Sequence, residues 1–129
     1  MLHDPLNDAM AAIRNAEMAG KGECQVRPAS KLIGRVLNVL QETQYIDRFE
    51  VTEQGGTVTF LVKLRGAIND CGVIKPRFAV KRAEMEKYES RYLPAQDFGV
   101  LILSTTAGVL SNAQAKHLGV GGKLLAFVY

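Results

Sequence analysis

The chain has 129 residues, of which 47% are hydrophobic and 22% charged. That apolar share supports a folded core and excludes a globally disordered chain. With 16 basic against 13 acidic side chains the net charge is +3, too small to mark a nucleic-acid binder by itself.

The distribution says more. Residues 1–70 carry 8 basic and 9 acidic side chains, whereas residues 71–129 carry 8 and 4. No acid follows Asp97, while Lys116 and Lys123 do, so a polyanion meets the second half more readily. Cys24 and Cys71 lack the close pairing of a disulfide framework or zinc site, and both are expected to be reduced. His3 and His117 have no second ligand nearby in sequence, which leaves no expected metal site. The N-terminus lacks the profile of a secretory signal, and no apolar run reaches membrane-spanning length. A cytosolic protein without a membrane partner is the expectation.

Taken in chain order, Asp4-Pro5 opens a helix: Asp is a favoured N-cap, and Pro at the first helical position loses no hydrogen bond. Leu6, Met10 and Ile13 follow at helical spacing, and Gly20 ends the run. Residues 23–27 suit a short strand before Pro28. Ser30 caps a second helix whose apolar face is Leu32, Ile33, Val36, Leu37 and Leu40. Residues 46–52 and 57–64 alternate as strands, and Gln54-Gly55-Gly56 between them reads as a hairpin turn.

Across residues 66–70 the apolar pattern lapses, a natural boundary. Val73-Ile74 and residues 78–80 are extended, with Pro76 favouring an edge. Residues 83–91 read as a short polar helix or turn, ended by Pro94. Residues 100–103 make an apolar strand, Ser111 caps a short helix reaching His117, and residues 124–128 form a last strand. The expected fold class is α+β in two small domains. One is an N-terminal α-β-α-β-β module at 1–66, the other a mostly β C-terminal domain with short helices at 71–129.

Three segments could carry chemistry. Ser104-Thr105-Thr106-Ala107-Gly108 places three hydroxyls in one turn, where they can donate to phosphate oxygens or ribose hydroxyls. Such hydroxyls more often bond their own backbone, and composition leaves that reading ahead of RNA contact without deciding between them. Gly119-Val120-Gly121-Gly122-Lys123 fails as a phosphate loop: the spacing is wrong, Leu124 replaces the metal-binding hydroxyl, and the order is helix to strand. A flexible basic surface remains, as does a helix C-cap at Gly119 with a turn at Gly121-Gly122. Lys75, Arg77, Lys81 and Arg82 surround Phe78. Alternation sends Arg77 and Lys81 away from Phe78 and Val80, which most simply makes a solvated face and less often a phosphate contact. No catalytic set emerges, because Ser104 lacks the glycines of a nucleophile elbow. Glu84, Glu86 and Glu89 read as solvating charges on a polar helix. No cofactor and no small-molecule substrate are expected.

The segment from Gly99 through Ser104-Thr105-Thr106-Ala107-Gly108 to Leu110, with Ala115-Lys116 and Gly121-Gly122-Lys123, strongly resembles the signature of the small-subunit ribosomal protein eight family. Asp4-Pro5-Leu6, Ile13-Arg14-Asn15-Ala16 and Arg27-Pro28-Ala29-Ser30-Lys31 agree with it in order along the chain. Residues 71–78 and 93–99 resemble the archaeal and eukaryotic branch. The resemblance implies a non-enzymatic protein that binds the central domain of small-subunit rRNA, helps assemble the platform and adjoins neighbouring ribosomal proteins. By residue match it implies RNA contact at Ser104, Thr105, Thr106, Gly108, Gly121, Gly122 and Lys123, and in the first domain at Ser30 and Lys31. Lys123 stands where bacterial members commonly carry Glu, and Ala107 where Lys often occurs.

Overall fold

The computed structural model describes residues 4–27, 30–95 and 98–129. His3, Pro28, Ala29 and Asp97, invoked above, lie outside these residues. The chain divides into two units, Met1–Gly72 and Val73–Tyr129.

In the first unit the helix starts are set by the side chains that the sequence offers. The Asp4 carboxylate accepts from the Asn7 N–H at 3.2 Å, and Pro5 fills the first turn of α1 (Pro5–Met18). Ser30 Oγ accepts from the Ile33 N–H at 3.2 Å and opens α2 (Lys31–Glu42). Strands β1 (Glu23–Val26), β2 (Ile46–Gln54) and β3 (Thr57–Leu64) form an antiparallel sheet of order β1-β3-β2. Gly55 and Gly56, at φ 58° and 80°, supply the two left-handed positions that a tight β2–β3 hairpin turn of the type I′ kind demands. Met10 and Ile13 of α1 are buried, as are Ile33, Val36, Leu37 and Leu40 of α2 and Phe60, Val62 and Leu64 of β3.

The first unit continues past the end of β3 because the connector is tied to α1. Arg14 pairs with Asp70 at 2.7 Å, the Ile68 N–H donates to Glu17 Oε2 at 3.3 Å, and Cys71 Sγ donates to the Met10 carbonyl at 3.6 Å. Both cysteines are free thiols. Burial, helped by the Asp70 charge, pushes the Cys71 thiol up to about 12. Burial and Glu17 push Cys24 up to about 11. Both are therefore neutral at physiological pH and poor nucleophiles.

The chain passes into the second unit within β4 (Cys71–Val73). There follow β5 (Ala79–Val80), a 3-10 turn (Arg82–Glu84), α3 (Met85–Tyr92), β6 (Val100–Thr105), β7 (Gly108–Ser111), α4 (Asn112–Leu118) and β8 (Gly122–Val128). The sheet has the order β4-β8-β6-β7, with β5 also pairing β8. The Lys75–Pro76 peptide is cis. Val80, Leu101, Leu103 and Leu124 from the sheet pack with Met85 and Tyr88 of α3 and Ala115 of α4, so the two helices cover one face. The fold is α+β, as expected. Val109-Leu110 belongs to a paired strand, Ser104-Thr105 end β6 instead of lying wholly in a turn, and Gly122 begins a strand, which decides between the readings left open for Gly121-Gly122.

Candidate nucleic-acid interface

The two C-terminal motifs meet because β8 lies between β5 and β6. Ser104 on β6 stands opposite Lys123 on β8, and Lys123 in turn stands opposite Ala79 on β5. On the other flank Ser104 faces Val109 of β7. Directly opposed residues share a face, with Cβ atoms about 5 Å apart. Ala79, Lys123, Ser104 and Val109 therefore form one row across four strands. Leu103 and Leu124, one position along, point into the core. Ser104, Thr106, Ala107 and Lys123 are exposed, and among the described residues Lys123 makes no ion pair.

The three hydroxyls divide between two roles. Thr105 Oγ1 donates to the Gly108 carbonyl at 2.8 Å and accepts from the Ala107 N–H at 3.0 Å. Its hydrogen is committed to closing the β6–β7 hairpin, which is the backbone-bonding reading that composition left open. Among the described residues the side chains of Ser104 and Thr106 have no hydrogen-bond partner. Their donors remain available to a ligand.

The glycines also have a first duty inside the fold. A Cβ at Gly121 would lie 2.3 Å from the Val80 carbonyl oxygen, and one at Gly122 would lie 2.3 Å from that of Ser104. Any side chain there must push β5 or β6 away from β8. Close approach of three strands, rather than a turn, is why both positions are glycine. Gly119 supplies the left-handed C-cap of α4 at φ 72°, so the segment runs from helix into strand, opposite to a phosphate loop.

The family model for ribosomal protein S8 matches residues 4–129. The chain belongs to the ribosomal protein S8 family. Proteins named small ribosomal subunit protein uS8 from Picrophilus torridus and Thermoplasma volcanium are each 56% identical over 129 residues, covering the whole of both chains. The protein of that name from Archaeoglobus fulgidus is 54% identical over 126 residues, 98% of each chain. The collinear motifs noted in the sequence, and their archaeal character, are thereby accounted for.

In this S8-family chain a part-buried polar network lies behind the row, and no local sequence pattern announces it. Asn112, at the start of α4, accepts from the Leu101 N–H of β6 at 3.2 Å and donates to Glu89 of α3. Lys116 donates to the other Glu89 oxygen at 2.5 Å. Glu89, whose side chain is only 19% exposed, thus joins α3 to α4, which corrects its reading as a solvating charge. Residues 23 and 27 positions apart form this joint, a separation that no local pattern announces. Ser111 adds a capping box with Gln114, which the Ser-x-x-Gln spacing does carry.

Ser30 and Lys31 belong to the other unit. Ser30 accepts the Ile33 N–H as an N-cap and keeps its own hydroxyl hydrogen, and Lys31 is exposed on the first turn of α2.

Proposed function

We propose that this chain is a non-catalytic structural component of the small ribosomal subunit in the cytoplasm, which binds the central domain of small-subunit rRNA directly and helps assemble the platform beside neighbouring ribosomal proteins. Membership of the ribosomal protein S8 family supports the ribosomal part, and the names of the relatives support the subunit. The observation that carries the binding site is the opposition of Ser104 and Lys123. It turns two motifs separated in sequence into one surface.

Ser104 and Thr106 donate to phosphate oxygens or ribose 2′-hydroxyls, which A-form RNA displays across a wide, shallow minor groove. Lys123 neutralises a phosphate. Gly108, Gly121 and Gly122 leave the surface free of side chains, so the RNA backbone approaches the sheet end closely. Thr105 acts by holding the turn. Ser30 and Lys31 provide a second contact from the first unit. No cofactor or small-molecule substrate takes part.

Substituting Ser104→Ala together with Thr106→Val in the full chain tests this reading by titration against a central-domain rRNA fragment. Two lost hydrogen bonds at ~1 kcal/mol each weaken binding roughly tenfold or more, with thermal stability unchanged. Unchanged affinity in the folded double variant overturns the assignment of this turn.

A further inference from the structure

β5 is two residues long, yet four consecutive residues there lie along β8 and the Gly121 that leads into it. The Phe78 carbonyl accepts from the Leu124 N–H at 3.0 Å, Ala79 opposes Lys123, and Val80 opposes Gly122. Lys81 then runs beside Gly121, where an added Cβ would sit 3.0 Å from the Lys81 Cα. Phe78 and Val80 turn towards the core, while Arg77, Ala79 and Lys81 are exposed. Arg77 and Lys81 thus flank Ala79, the member of the row next to Lys123. Arg77 lies in the tight turn before β5, where the Phe78 N–H donates to the Pro76 carbonyl at 2.8 Å, and Lys81 follows β5 in extended conformation, so the two exposed cations bracket the strand.

Among the described residues neither Arg77 nor Lys81 makes an ion pair. Arg82, by contrast, is engaged, its Nε donating to the Lys116 carbonyl at 3.4 Å. Glu84 ends the 3-10 turn that follows Lys81, its N–H donating to the Lys81 carbonyl at 2.9 Å, and Glu86 and Glu89 sit on α3, which covers the opposite face of the sheet. Surfaces that serve only solubility intersperse the two signs, whereas Arg77, Lys81 and Lys123 gather one sign on one edge. Like charges so placed repel one another until a polyanion arrives.

We propose that Arg77 and Lys81 form a phosphate-binding rail on β5 beside Lys123. The inference rests on the rRNA-binding reading of residues 104–108 and 121–123 and divides the surface by function. The hydroxyl end at β6 recognises local RNA shape, and the cationic end at β5 holds the sugar-phosphate backbone in position. Gly121 is the hinge of this division, because its lack of a side chain is what lets Lys81 lie against β8.

The test compares the full chain with an Arg77→Gln/Lys81→Gln variant. Each is titrated at several salt concentrations against a central-domain rRNA fragment and a scrambled hairpin of equal length. Each phosphate contact contributes roughly 0.7 to 0.9 to the slope of log affinity against log salt. The double variant is expected to flatten that slope by roughly 1.4 to 1.8, with the preference for the central-domain fragment retained. A charge-conserving Arg77→Lys/Lys81→Arg variant keeps the wild-type slope. Lys87→Gln, which removes a cation from α3, also keeps it. A wild-type slope in the Gln double variant, or equal flattening by Lys87→Gln, overturns the rail while leaving the rRNA reading intact. If the unaltered chain does not distinguish the two RNAs, the rRNA reading itself fails, whatever the slopes.

Discussion

Thr105 and Thr106 are adjacent and chemically alike, but the turn uses them differently. Thr105 spends its hydroxyl on the Gly108 carbonyl and the Ala107 N–H, while Thr106 faces outward. Thr105→Val keeps the shape and removes both bonds, so it is expected to lower stability by about 1 kcal/mol, read as a lower urea midpoint. Its RNA affinity should fall less than that of the Ser104→Ala/Thr106→Val variant. An equal or larger loss of affinity with unchanged stability would show Thr105 acting directly on the RNA. At this scale the sequence was legible where a side chain caps the start of a helix. The caps at Asp4, Ser30 and Ser111 are all of that kind. It was silent on which of three consecutive hydroxyls bonds inward, because that depends on the hairpin's geometry rather than on residue type.

Short elements in the second unit owe their existence to partners distant in sequence. α4 has seven residues, too few for a helix to persist alone in water. It is held by its capping box, by the left-handed Gly119, and by Asn112 reaching back to β6 and α3. Asn112→Ala leaves the Leu101 N–H and a Glu89 oxygen without their partner. The expected cost is about 1–3 kcal/mol, measured by chemical denaturation, and a cost near zero would remove the network from the account of how α4 is held. Such dependence explains what the sequence concealed. The long elements α1, α2, β2 and β3 show clear periodicity and are legible as drawn. β5, read as part of an extended stretch, is only two residues long, and the four residues of β7, two of them read as a short apolar pair, are a strand through their pairing with β6. Gly121-Gly122 resembles Gly55-Gly56 as a dipeptide. Only one pair makes a turn, because the other serves the approach of β5 and β6 to β8.

For the molecule as a whole, the charge asymmetry of the sequence acquires a location. The second half's excess of basic residues gathers in part on the β5–β8 edge, where Lys123, Lys81 and Arg77 are exposed. Composition indicated a polyanion without specifying one. The resemblance named rRNA, and the fold brought Ser104 and Lys123 into register. The most direct check is nucleotide-resolution footprinting of small-subunit rRNA with and without the full chain. A compact block of protection within the central domain is predicted, lost or weakened when Ser104→Ala and Thr106→Val are combined. Protection absent from the central domain, or unaltered by that double substitution in a folded protein, would contradict the proposal that this end of the sheet is the rRNA-binding surface.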